Sequence, residues 1–215
     1  MKNKELQVGG LTPLTGLDYP GELASVIFCQ GCPWRCSYCQ NPHLLSPTSA
    51  TIPWSQIEAF LERRQGLLDG VVFSGGEPTL QNTLPDALTR VKAKGFKVGL
   101  HTAGIYPDRL RALVPLLDWV GLDIKALPED YETITGAAGS GARAWESLRL
   151  LIATGIPLEV RTTMPKDWRL SQGMEILMRR VADEGVEVFA LQACRAVNSR
   201  NQYPCSINFP SPSPP

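Results

Sequence analysis

The chain holds 215 residues, 43% of them hydrophobic and 20% charged, enough for one domain with a sizeable core. Lys plus Arg and Asp plus Glu both count 21, so the net charge gives no electrostatic case for nucleic acid or an anionic membrane as the main partner. No apolar run approaches membrane-spanning length, and Met1–Leu11 shows no secretory pattern, which points to the cytoplasm and to thiols that stay reduced. The six cysteines then read as metal ligands or buried thiols rather than as a disulfide framework.

In chain order, Leu23–Phe28 (LASVIF) predicts a first buried strand, and four cysteines follow it at once. Trp54, Ile57, Phe60 and Leu61 share a helical face, with Gly66 as a stop. Asp69–Phe73 predicts a second strand. Leu84, Leu88 and Val91 mark the next helix, which ends at Gly95, and Phe96–His101 is a third strand. Pro107 suits a first helical turn, before Leu110, Leu113, Val114 and Leu117. Trp119–Ile124 is a fourth strand. Trp145, Leu148 and Ile152 precede the stop at Gly155 and Pro157, and Leu158–Thr163 is a fifth strand. Leu170, Met174, Leu177, Met178 and Val181 make a last apolar stripe, closed by Gly185 before a sixth strand, Val186–Leu191.

Apolar strands alternating with amphipathic helices imply an α/β fold with a parallel sheet covered by helices. Six units fit a partial barrel or an open doubly wound sheet, and either gathers its chemistry at the C-terminal strand ends. The unusual residues lie there. The cysteine loop follows strand one, Ser74-Gly75-Gly76-Glu77-Pro78 strand two, and Thr102-Ala103-Gly104 strand three. Residues 1–197 are expected to form this core. The Pro- and Ser-rich tail, 198–215, is expected to form no packed element and to be flexible.

Cys32, Cys36 and Cys39 stand at x3 and x2 spacing, so three thiolates in one loop can converge on a metal centre. Iron–sulfur clusters are held by cysteine thiolates, and three ligands would leave one iron open to a substrate. On the cysteines alone a zinc site stays open, with Cys29 as fourth ligand, although Cys29 ends an apolar strand and reads more simply as a buried thiol. Two glycines before Glu77 would let a ligand approach the backbone, and the carboxylate could hold an ammonium group. Asp123 and Lys125 fall on one side of a strand end by alternation. Arg161 lies inside a strand, where it needs a partner such as Asp123, Glu159 or a ligand carboxylate. Neither of the two histidines, His43 and His101, sits in a nucleophile motif.

C-x3-C-x2-C with an aromatic before the last cysteine, joined to G-G-E-P after strand two, resembles the radical S-adenosylmethionine (radical SAM) superfamily. The joint match is far more specific than either motif alone. More narrowly, TPLTGLDYPGELASVIFCQGCPWRCSYCQNP, HTAGIY, DWVGLDIKA and YETITG resemble the activating enzymes of glycyl-radical enzymes, nearest to the activating protein of anaerobic ribonucleoside-triphosphate reductase. The likeness runs from about Gly10 to about Arg195.

The resemblance implies a (β/α)6 partial TIM-like barrel of the radical SAM type. It implies a [4Fe–4S] cluster on Cys32, Cys36 and Cys39, and S-adenosylmethionine on the fourth iron. Tyr38 would pack near the adenine. Gly75, Gly76 and Glu77 would cradle the methionine ammonium, and Thr102, Asp123 and Lys125 would surround the methionyl and ribose groups or a nearby monovalent cation. Arg161 and Gln192 face the same region. His101 stands where pyruvate formate-lyase activases have aspartate, which puts a cation site in doubt. The implied chemistry is reductive cleavage to methionine and a 5′-deoxyadenosyl radical, which takes hydrogen from a glycine Cα of the partner. The implied partners are that glycyl-radical enzyme and a one-electron donor such as flavodoxin or ferredoxin. A compact small-molecule enzyme, like the one that builds 7-carboxy-7-deazaguanine, is the alternative. Cys194 and Cys205 carry no assigned role.

Overall fold

The computed structural model describes residues 5–48, 50–164, 172–194 and 207–208. The six expected strands are present as β2 (Ala24–Cys29), β3 (Gly70–Gly75), β4 (Lys97–Thr102), β5 (Trp119–Asp123), β6 (Leu158–Met164) and β7 (Phe189–Ala193). They lie side by side in chain order, every neighbouring pair parallel. A doubly wound sheet needs a point where the strand order reverses. The described strands have none, which leaves the open partial barrel.

Helices α1 (Trp54–Glu62), α2 (Leu84–Ala93), α3 (Pro107–Leu113), α4 (Tyr131–Thr135), α5 (Ser140–Thr154) and α6 (Gln172–Asp183) fill the crossovers. The apolar stripes of α1, α2, α3, α5 and α6 are the expected ones, α4 was not expected, and Leu170 lies outside the described residues. None of the described helices is long and apolar enough to cross a membrane.

Strand alternation sorts the core into two layers. Ile27, Cys29, Val71, Phe73, Val120 and Leu122 join the large cluster under the helices. Ala24, Val26, Val72 and Trp119 join a small second cluster on the other face, with Phe28 packed on it. Tyr19, from the loop before β2, completes that cluster and stacks on Trp119 at 5.3 Å between ring centres.

Two strands were not expected. β1 (Val8–Thr15) pairs antiparallel with β2, with register shifts between Val8 and Gly10 and between Thr12 and Thr15. β8 (Ile207–Asn208) pairs antiparallel with Leu191 and Ala190 of β7, so the tail does contribute one short element. Cys205 and the rest of the tail lie outside the described residues.

Candidate active site

The cysteine loop leaves the end of β2 and is held on two sides by backbone hydrogen bonds. On one side Gly31 N–H donates to the Leu44 carbonyl at 2.7 Å and Cys32 N–H to Leu45 at 3.2 Å. On the other, Arg35 N–H donates to Thr135 at 2.9 Å and Ser37 N–H to Ile134 at 3.0 Å, both at the end of α4. Arg35 Nη1 closes the turn by donating to the Cys32 carbonyl at 2.6 Å. Buried Trp34 meets buried Tyr131 edge to face at 5.9 Å. The loop's path is thus fixed by the protein itself.

Cys32, Cys36 and Cys39 are partly exposed, and the first two pack against the core. Burial pushes the Cys32 thiol up to about 12 and raises Cys36 as well, while the Lys125 ammonium pulls both back down. Three partly exposed thiols in one loop are a donor set that could each bind a separate iron of a cluster. Cys29 is fully buried in the helix-side core, facing away from the small cluster.

Glu77 and its two glycines seat the β3 end against the cysteine loop. Gly76 N–H donates to the Cys29 carbonyl and Glu77 N–H to Gly31, both at 2.9 Å. A Cβ on Gly76 would stand 2.2 Å from the Gly31 oxygen, and one on Gly75, at φ +116°, would stand 2.4 Å from the Cys29 nitrogen. The glycines let the β3 end lie directly on the start of the cysteine loop. The Glu77 carboxylate is fully buried. Its Oε1 accepts from Thr79 N–H (3.1 Å), Thr79 Oγ1 (2.6 Å) and Thr102 Oγ1 (2.7 Å), and its Oε2 accepts from Ala103 N–H (2.9 Å). Burial raises its pKa, and those four donors work against the rise. Glu77 and Thr102 thus tie the β3 loop to the β4 end.

Asp123 and Arg161 are register partners across β5 and β6. Arg161 Nε lies 3.6 Å from Asp123 Oδ1 and 3.9 Å from Glu159 Oε1, and it is buried without a hydrogen-bond partner. The guanidinium passes over Gly121, where a Cβ would stand 2.6 Å from Nη2. Its Nη1 reaches His101 Nε2 at 3.1 Å, and that nitrogen lies 2.9 Å from the Asp18 carbonyl. His101 packs edge to face on Trp119 at 5.4 Å.

Lys125 follows β5, with Nζ 3.7 Å from Asp123 Oδ2 and 5.9 Å from the centre of the Tyr38 ring. Burial is the largest single influence and would lower its pKa, but Asp123, Tyr38, Cys36 and Tyr131 together outweigh it and hold the ammonium above the ordinary lysine range. The Lys125 N–H donates to the Tyr131 hydroxyl at 2.8 Å. The Tyr38 hydroxyl is buried with no hydrogen-bond partner, and burial pushes its pKa up to about 12. Such an orphaned group is an opening for a ligand atom.

The structure thus brings Tyr38, Asp123, Lys125 and the cysteine loop together and sets Arg161 beside Asp123. Glu77 and Thr102 are committed to each other. Gln192, on β7, pairs in register with Thr163 of β6. Sequence reasoning missed Tyr131, whose only signal was the YETITG segment, and Asp18 and Thr79, which act through backbone or short polar contacts.

The family model for the radical SAM superfamily matches residues 26–177. A protein of Methanocaldococcus jannaschii named as a candidate glycyl-radical enzyme activating enzyme is 28% identical over 192 residues, covering 86% of this chain and 78% of its own length. The pyruvate formate-lyase-activating enzyme of Clostridium pasteurianum is 35% identical over 135 residues, or 58% of this chain and 55% of its own. The chain thus spans only about half of that enzyme. The crystal structure of Streptococcus suis SuiB bound to S-adenosylmethionine superposes with a TM-score of 0.61 at 15% identity, over 81% of this chain and 42% of that one. At that identity the likeness is one of fold.

Proposed function

Because the chain belongs to the radical SAM superfamily, we propose that it is an activase that installs a glycyl radical on a partner enzyme, namely an anaerobic ribonucleoside-triphosphate reductase. One observation carries the activase reading: the likeness to the M. jannaschii relative extends over 86% of this chain, well beyond the shared cysteine motif. The partner's identity rests on the likeness of the Thr12–Pro42, HTAGIY and YETITG segments to that activase branch.

The family's [4Fe–4S] cluster and S-adenosylmethionine together supply one-electron cleavage of a sulfonium carbon–sulfur bond. In this reading residues 1–197 are the catalytic core and 198–215 an appended tail. Cys32, Cys36 and Cys39 hold the cluster, and Cys29 does not. Lys125 and Arg161 offer cations to the methionine carboxylate, and Asp123 orients both. Tyr38 flanks the adenine, with its unpartnered hydroxyl available to the ligand. The ammonium end falls to the backbone around Gly75 and Gly76, because the Glu77 carboxylate already accepts from four protein donors. Thr102 acts through Glu77. The electron comes from a flavodoxin- or ferredoxin-type donor.

The test is electron paramagnetic resonance on the purified chain with the reductase, S-adenosylmethionine and a reductant under anaerobic conditions. A glycyl-radical doublet on the reductase is expected. Its absence, or turnover of a small substrate with no protein partner, would overturn the activase reading.

A further inference from the structure

We infer that Lys125 is a tuning residue for the cluster: its ammonium, locked beside the cysteine loop, favours the reduced, more negative state and so raises the reduction potential. The inference rests on the assignment of Cys32, Cys36 and Cys39 as ligands.

Position comes first. Lys125 Nζ lies over the ring of Tyr38, 5.9 Å from its centre, and Tyr38 stands between Cys36 and Cys39 in the chain. Anchoring comes second. The Lys125 N–H is held by the Tyr131 hydroxyl at 2.8 Å, and Tyr131 packs against Trp34, which lies between Cys32 and Cys36. The helix that begins at Tyr131 also accepts the Arg35 and Ser37 N–H groups at its end. One short stretch, from Asp123 to Thr135, therefore fixes both the Lys125 backbone and the loop, and the Asp123 carboxylate, 3.7 Å from Nζ, faces the ammonium from the same stretch.

Charge comes third. Asp123 faces Lys125 at 3.7 Å but also Arg161 at 3.6 Å. That carboxylate is shared by two cations and hydrogen-bonds neither, while Arg161 has Glu159 as a second carboxylate at 3.9 Å and Lys125 forms an ion pair with Asp123 alone among the described residues. Arg35 is a second cation in the loop, but it is exposed and screened by water. Cluster potentials respond to net charge and burial, and a buried cation is screened far less than an exposed one.

The test uses the full chain, reconstituted anaerobically and titrated for cluster potential without S-adenosylmethionine. Lys125→Met is expected to shift the oxidised-to-reduced ratio at fixed poise by about tenfold toward oxidised, which for a one-electron couple is about 59 mV. Lys125→Arg keeps the charge and should stay near the parent. Asp123→Asn removes the opposing charge and should move the potential the other way. Coincident potentials for Lys125→Met and the parent, or shifts of the same sign for Lys125→Met and Asp123→Asn, would overturn the inference. If Lys125→Met takes up no cluster, Asp123→Asn decides alone: a positive shift supports the inference, and no shift or a negative one overturns it. A parent chain that assembles no [4Fe–4S] cluster would overturn the ligand assignment itself, a result distinct from unchanged potentials.

Discussion

Arg161 Nη1 and the Asp18 carbonyl meet at the same nitrogen of His101, 3.1 Å and 2.9 Å from Nε2. The guanidinium needs a lone pair there and the carbonyl needs a proton, so one neutral ring satisfies one of them at a time. A second proton would put a cation beside Arg161. Burial first, and then that guanidinium, hold the His101 pKa well below 6.5, against the pull of the Asp18 carbonyl. An unfolded chain binds a proton near pH 6.5 and the folded chain does not. Stability from this residue is therefore present above about pH 6.5 and is lost as pH falls from there toward the depressed value, by at most about 1.4 kcal/mol per pH unit. Thermal denaturation of the parent and His101→Gln across about pH 5 to 8 should show a steeper acid loss in the parent. Parallel curves would mean that His101 is not the group responsible.

Glu77→Gln places an amide NH2 among donors that all point at a carboxylate. At least one of the Thr79, Thr102 and Ala103 donors then loses its acceptor inside the protein. The expected cost is about 1–3 kcal/mol, or roughly 2–4 °C of melting temperature per kcal/mol at this chain length. The loss should appear in the cofactor-free chain. If melting is unchanged and only S-adenosylmethionine binding weakens, Glu77 acts on the ligand instead.

Gly76→Ala tests the seating of the cysteine loop on the β3 end. Its Cβ would stand 2.2 Å from the Gly31 oxygen and 3.1 Å from the Leu44 oxygen, both backbone atoms, so the loop start must shift. A stability loss of about 3 kcal/mol and a lowered iron content per chain are expected from denaturant melts and iron analysis. Normal iron loading would show that the cysteine geometry tolerates the shift.

Tyr131→Phe removes the hydroxyl that accepts from the Lys125 N–H at 2.8 Å and leaves that donor buried. A cost of about 1–3 kcal/mol is expected, together with weaker S-adenosylmethionine binding as Lys125 loses its anchor. Isothermal titration on the reconstituted chain measures the second effect. Unchanged affinity would separate Tyr131 from the site.

The parallel strands were legible because each is a short apolar run closed by glycine or by polar residues at the site. β1 was not, since VGGLTPLT carries two glycines and Pro13, residues that argue against a central strand. An edge strand tolerates them, and only the pairing with β2 shows that this is one. The cysteines and the Asp123/Lys125 pair were legible as chemistry because spacing in one segment brings them together. The occupation of Glu77 was not. Its donors come from Thr79 and from Thr102–Ala103, some 25 residues away, and no local pattern announces that the carboxylate turns inward toward β4. The same holds for Arg161 and His101, joined across β5 only because Gly121 leaves the space.

The most direct test of the account is iron and sulfide analysis of the anaerobically reconstituted chain, with the paramagnetic signal of the reduced protein recorded before and after S-adenosylmethionine is added. The account predicts about four irons per chain, a signal that changes on adding S-adenosylmethionine, loss of both in Cys36→Ser and retention of both in Cys29→Ala. Zinc in place of iron, a signal indifferent to S-adenosylmethionine, or loss of the cluster in Cys29→Ala would contradict it.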